Sequence, residues 1–235
     1  MFAEFLNRDE FFEKYMLNLA TRMAIGNVEM ENSPGTISEQ YLDIYNNIDA
    51  FTYLVNGGID RISPLDIKKC AKIINNGIYD DFRKTAVEVK KAKNFFPIDA
   101  KMVIPQMYNI INNYYNVWNI LPVYLKEAKL HIELVRTQPF EDGNKRTARI
   151  LTNYNLCKQN KAPVIISGCE TDKYFSFIDN YDVDGFAKFL EDKSKQELEI
   201  MLILYKKICG DESFNTSSSD RNSIPYVYKK TFSDN

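Results

Sequence analysis

Between residues 9 and 24, Phe12, Tyr15, Met16, Leu19 and Met23 recur at spacings of three and four, which sets one apolar face on a helix. GNVEMENSPG follows, ends in Pro34-Gly35 and reads as a turn-rich gap. Thr36 with Glu39 has the form of a capping box, so a second helix is expected over about 38 to 55, stopped by Gly57-Gly58. Ser63-Pro64 with Asp66 opens a third helix, which Gly77 ends. Residues 82 to 89, FRKTAVEV, alternate instead. Thr85, Val87 and Val89 fall on one side, which predicts a short strand or hairpin over about 83 to 96. Helical periodicity then resumes over about 100 to 116, from Pro122 to Arg136, and over RTARILTNYNLCKQN, where Ile150, Leu151, Tyr154 and Leu156 supply the apolar positions. Pro163 breaks the pattern, and two more helices are expected near 171 to 180 and 184 to 208. The fold class implied is all-α, a helical bundle with one small β-hairpin. Residues 1–210 are expected to form one domain, and 211–235, rich in Ser, Asn and Asp, a polar tail.

Composition narrows the function classes. The chain has 235 residues, enough for a sizeable core. Its fifteen Tyr and fifteen Phe predict a core packed with rings. A net charge of -2 argues against a nucleic-acid or membrane-binding surface, so neither partner is expected. Cys70, Cys157, Cys169 and Cys209 form no CxxC pair, and His131 is the one histidine, so a structural zinc site is not expected. Scattered thiols and an N-terminus without an apolar signal region read as a cytoplasmic protein, with secretion through a specialised injection machine left open.

The chemistry concentrates in TQPFEDGNKRTAR, residues 137 to 149. Gly143 permits a tight backbone turn. A helix starting near Asn144 aims its free N–H groups and the positive end of its dipole at the loop, which makes an anion site. Arg146 and Arg149 lie three apart and so share a face, two guanidinium forks suited to phosphate oxygens. Asp142 beside them suits a magnesium ion carried by a nucleotide. Phe140 is the apolar anchor of an otherwise polar loop. Neither a Walker A pattern nor a Rossmann glycine fingerprint is present.

This stretch resembles the signature of the Fic (Fido) family, HxFx(D/E)GNxxRxxR in its loose form. QPFEDGNKRTAR fits at Phe140, Asp142, Gly143, Asn144, Arg146 and Arg149 and departs at Gln138, where the family has histidine. ISPLDIKKCAKIINNGI and FRKTAVEVKKAKNFFP also look like Fic segments, and the likeness covers about residues 10 to 205. The resemblance implies an α-helical protein that holds ATP with Mg2+ and transfers AMP to a hydroxyl of a target protein. Asp142 would bind the metal. Gly143, Asn144, Lys145, Arg146 and Arg149 would surround the phosphates. The hairpin, with Thr85, Val87 and Glu88, would be the flap on which a target protein docks by strand pairing. Lys145 stands where many relatives have glycine and is similar to the kinase-like Doc branch, so its direction, toward a phosphate or toward solvent, stays open. An N-terminal segment near 20–36 resembles the family's self-inhibitory element, with Glu31 and Asn32 in register and Asn27 in place of Ser/Thr; Glu31 would pair with Arg149. A homodimer is a candidate assembly.

Gln138 occupies the position of the family's general base. An amide hydrogen-bonds but takes no proton at neutral pH. His131 lies seven residues upstream, about 10 Å along a helix, and reads as a packing residue. Three readings follow. One is an AMP transferase impaired at Gln138. Another is a Doc-like phosphotransferase. The third is a non-catalytic regulatory or binding module with the same fold.

Overall fold

The computed structural model describes residues 9–31, 36–89 and 92–209. Among the described residues eight α-helices run in chain order: α1 (Asp9–Glu31), α2 (Ile37–Asn56), α3 (Pro64–Ile74), α4 (Val103–Asn116), α5 (Val123–Thr137), α6 (Asn144–Lys158), α7 (Thr171–Asp179) and α8 (Val183–Cys209). Short 3-10 turns sit at Ala100–Met102, Trp118–Ile120 and Gly168–Glu170. Among the described residues every regular element is helical, in keeping with the expected all-α class. The tail expected at 211–235 lies outside the described residues.

Two helix starts form as their caps dictate. The Thr36 hydroxyl accepts from the Glu39 backbone N–H while the Glu39 carboxylate accepts from Thr36 N at 2.6 Å. Ser63 and Asp66 repeat the device, with Pro64 in the first turn.

Two expectations are corrected. The gap expected at 26–35 is not a break at its start: α1 continues through Gly26 to Glu31. Gly26 serves close packing there, since a Cβ on it would stand 2.6 Å from the Ile166 carbonyl oxygen. Nor does a hairpin form at 83–96, where the described residues include no strand. Their hydrogen bonds go elsewhere. Arg83 N donates to Pro139 O at 2.9 Å, and Asp179 Oδ1 accepts from Lys93 N and Asn94 N at 2.8 and 2.9 Å. A stretch whose backbone groups are taken by a loop and a side chain has fewer left for a paired strand.

Helix α6 lies at the centre and packs against α5, α2 and α3. Its residues from Arg146 to Leu156 are buried almost without interruption, yet Arg146, Thr147, Arg149, Thr152, Asn153 and Asn155 are polar. A buried polar helix needs partners for its side chains. Asn153 exchanges two bonds with the Val164 backbone, at 2.7 and 2.9 Å. Asn155 donates to Glu127 at 2.9 Å. On the other side of the bundle, α1 is fastened to α8. Arg22 donates through both terminal nitrogens to Glu197, at 2.7 and 2.8 Å, and the Tyr15 hydroxyl reaches the same carboxylate at 2.8 Å. Phe11, Tyr15 and Leu19 are buried beneath this clamp, with Phe11 edge-on to Tyr205 at 5.3 Å.

Glu127, fully buried on α5, accepts from Tyr114 of α4 at 2.6 Å, Asn155 at 2.9 Å and Gln159 at 2.8 Å. Burial pushes its carboxyl from an ordinary 4.5 up to about 7, against the pull of those donors. The folded chain therefore holds a proton that the unfolded chain releases at lower pH. Stability declines as pH rises from about 4.5 to about 7 and is level beyond that. Glu127→Gln should flatten this slope, which is worth up to about 3 kcal/mol. Melting temperatures of parent and variant across that range test it; parallel curves would disprove the assignment.

Candidate functional site

The loop between α5 and α6 is built by its own side chains. Gln138 ends α5 in the left-handed region, at φ 48° and ψ 63°, and its N–H donates to Leu134 O. Its side-chain amide is used at both ends: Nε2 donates to Val135 O at 2.6 Å, and Oε1 accepts from Asn144 Nδ2 at 2.9 Å. Asn144 also bonds both polar groups of the Phe140 backbone, accepting from its N–H at 2.9 Å and donating to its carbonyl at 2.8 Å. The Asn144 side chain is thus turned into the loop as a staple. Phe140 is buried and stacks on Phe82 at 5.5 Å, which anchors the loop as its sequence suggests.

Gly143 turns the chain into α6 at φ 78°. An added Cβ there would meet the Asn75 amide at 2.9 Å, so glycine is required by both conformation and space. Asn75, at the end of α3, donates to Asp142 O at 3.0 Å and backs the loop from beneath. Gly143, at the N-cap, has no side chain to cap α6, and the first intrahelical bond runs from Thr147 N to Gly143 O. The N–H groups of the first turn therefore lie at the loop with the helix dipole behind them.

A cleft of about 400 Å³ opens at this point, lined among others by Gln138, Glu141, Asp142, Gly143, Asn144 and Lys145. Glu88 and Val89 form one wall and Phe175 of α7 another. Lys145, half-buried, lies on the cleft. Of the expected flap residues, Glu88 lines the cleft, Val87 is half-buried and Thr85 donates to Glu141 Oε1 at 2.7 Å. A second cavity of about 670 Å³ shares Phe175 and continues along α7 past Ser176, Asp179 and Asn180.

The two arginines take different environments. Arg146 donates to Asp142 Oδ2 at 2.9 Å, to Asp43 Oδ1 of α2 at 3.3 Å and to Asn75 Oδ1 at 3.4 Å. Arg149 donates from Nε to Asn27 Oδ1 at 2.5 Å, and its guanidinium carbon stands 5.8 Å from the centre of the Tyr174 ring. Asn27 lies on α1, one turn before Glu31, so α1 passes over Arg149. The side chain of Glu31, and all of Asn32, lie outside the described residues. His131 is buried, with Nδ1 2.9 Å from Thr152 Oγ1 and Nε2 2.8 Å from the Tyr174 hydroxyl. Thr152 spends its own proton on Ala148 O, so Nδ1–H is the donor to Thr152 and Nε2 accepts from Tyr174. Burial, then the charge of Arg149, pushes the imidazole down to about 3, which keeps it neutral.

Sequence reasoning missed four participants. Arg83 is 3% exposed, and its guanidinium binds the carbonyls of Gln138, Thr85, Ile98 and Thr137 at 2.5, 2.8, 2.6 and 3.4 Å. Asn75, Asp43 and Phe175 are the others. Each comes from a helix or segment distant in the chain, and no local pattern marks them.

Residues 61–156 match the model of the Fic/DOC family. A protein adenylyltransferase Fic from Drosophila willistoni is 30% identical over 161 residues, covering 62% of this chain and 32% of that relative. The Aedes aegypti protein of the same name is 31% identical over 107 residues, 42% of this chain and 21% of its own length. The chain thus spans about a third or less of these relatives. A Fic domain-containing signaling protein from Bacteroides thetaiotaomicron superposes with a TM-score of 0.76 at 15% identity, over 91% of this chain and 97% of that one. Fic-1 from C. elegans gives 0.69 at 17% identity, over 86% and 67%. At these identities the two structures establish the fold alone.

Proposed function

We propose, from the premise that this chain carries a Fic-family domain, that its cleft binds a nucleoside triphosphate and that its inherited chemistry is transfer of AMP to a protein hydroxyl. The observation that carries this reading is the uncapped first turn of α6 on the cleft, with Arg146 and Arg149 on the same helix and Asp142 at the rim. The relatives' name, protein adenylyltransferase, supports the reaction type.

The residues fit a nucleotide-borne Mg2+. Such an ion takes one or two carboxylates and fills its other positions with phosphate oxygens and water. Asp142, 63% exposed at the rim, would supply one carboxylate, and among the described residues no cluster of three acidic, His or Cys groups marks a resident metal. When bound, the ion neutralises developing phosphate charge. The first-turn N–H groups of α6 and the arginines orient the phosphates, and Phe175 offers an apolar face to the base. In AMP transfer the target oxygen bonds to the α-phosphorus, the bond to the β-phosphate oxygen breaks, pyrophosphate leaves, and the hydroxyl proton must move to an acceptor. Gln138 is no acceptor for it, and both ends of its amide are already engaged. That engagement favours a second reading, a nucleotide-binding regulatory module that keeps the site and transfers little. The target would dock against the segment from Thr85 to Glu88, and the Glu31 carboxylate would compete with phosphate for Arg149.

Calorimetry with ATP and Mg2+ tests the reading. The parent should bind, and Glu31→Gly should bind about tenfold tighter, because a charge-assisted competitor is gone. Failure of both to bind ATP would refute it. Protein labelled from α-phosphate-labelled ATP alone would assign AMP transfer. Label from the γ-position would instead assign the phosphoryl transfer that Lys145 on the cleft suggests.

A further inference from the structure

Both motif arginines are met by side chains of the N-terminal helix pair, and through one hydrogen-bonded seam. Asn27 of α1 accepts from Arg149 and donates to Asn47 Oδ1 of α2 at 2.7 Å. Asn47 in turn donates to the Asp43 carbonyl at 2.7 Å. One turn of α2 before Asn47, the Asp43 carboxylate reaches Arg146. The Arg146 guanidinium is therefore divided between two carboxylates, Asp142 at 2.9 Å and Asp43 at 3.3 Å.

These two acids are not equivalent. Asp142 sits on a loop and is 63% exposed, free to turn to solvent or to a cation. Asp43 is 32% exposed, on a long capped helix whose register against α1 the Asn27–Asn47 contact fixes. When an anion arrives, Asp142 can yield while Asp43 stays. A fixed negative charge beside a 90%-buried guanidinium subtracts from the potential that draws phosphate to the first turn of α6.

We infer that Asp43 is a positioning residue that restrains Arg146 and holds the polyphosphate affinity of the cleft below what its arginines and helix end would give. This rests on the nucleotide reading above. It adds a second restraint from the N-terminal helices, on Arg146 rather than Arg149, delivered by α2 rather than α1.

The test is calorimetric titration of parent, Asp43→Asn and Asp43→Ser with inorganic tripolyphosphate, and with ATP in chelator, at low and high salt. Asp43→Asn keeps an acceptor for Arg146 and removes the charge, so it should bind about three- to tenfold tighter at low salt. The gain should shrink at high salt and vanish when Arg146→Met is added. A gain of affinity cannot come from a damaged fold, which separates this role from a merely structural one, and Asp43→Ser gives the same readout should the first variant fold poorly. Unchanged or weaker binding by both variants, with the parent binding, overturns the inference and leaves the nucleotide reading standing. Absence of binding in every protein, Glu31→Gly included, overturns both.

Discussion

Replacing Gln138 with histidine should raise AMP transfer by about 100- to 10,000-fold, the usual worth of a positioned general base. The backbone is ready for it. Residue 138 sits at φ 48°, in the left-handed region that histidine enters more readily than most residues. The Val135 carbonyl, which now takes a bond from the glutamine amide at 2.6 Å, is placed to accept Nδ1–H of an imidazole. Nε2 is then the basic atom, with a pKa near neutrality where the cleft is open to solvent. Asn144 loses one of its three partners and keeps the two to Phe140, so the loop stays stapled. The assay is transfer from α-labelled ATP to protein, run in the Glu31→Gly background so that competition for Arg149 does not mask the effect. Equal, low transfer in Gln138→His and its parent would mean that the missing proton acceptor is not what limits this site.

Arg83→Met should be the most damaging single change outside the motif. One guanidinium satisfies four carbonyls drawn from the 83–98 segment and from the end of α5. Methionine fills much of the volume and donates nothing. The stranded carbonyls should cost about 2–4 kcal/mol, which for a chain of this size lowers the melting temperature by about 5–15 °C. Two of the lost partners, Thr137 and Gln138, carry the motif loop, so on the nucleotide reading ATP affinity should fall about tenfold where the variant remains folded. Arg83→Lys should recover part of the stability, since an ammonium reaches fewer of the same oxygens. A melting temperature for Arg83→Met within about 1 °C of the parent would show that water replaces these bonds without loss.

What the sequence discloses and what it hides divide along the range of the interactions. Capping is local, so Thr36 with Glu39 and Ser63 with Asp66 mark their helix starts three residues apart. The motif loop is local as well, and its staple, Asn144 to Phe140, spans four residues. GNVEMENSPG reads as a turn-rich gap from its composition; the reason for its Gly26, an approach to Ile166 140 positions away, leaves no trace nearby. The alternation of Thr85, Val87 and Val89 suggested pairing, but pairing needs a partner strand, and the segment is instead tied to Pro139, to Asp179 and through Arg83. Asp43 and Asn75 read as ordinary polar residues of a helix face and a turn. Only the folded chain sets them against Arg146. Helix α6 is the plainest case: the sequence marks Ile150, Leu151, Tyr154 and Leu156 as its apolar positions, while the burial of its polar residues follows from partners on α1, α2, α5 and at the end of α3.

The clamp of Arg22 and Tyr15 on Glu197 bears on how the proposed competition of Glu31 for Arg149 can be dissected. Glu197 is 3% exposed, and its two oxygens are consumed by residues of α1. Cutting α1 away to unmask Arg149 would also strip a nearly buried carboxylate of its counter-charge, remove the buried side chains of Phe11, Tyr15 and Leu19, and leave Tyr205, which packs edge-on to Phe11, open to water. In this fold the helix that covers the site is also a supporting wall. Truncation would confound release with collapse, and only side-chain surgery on α1 can separate the two.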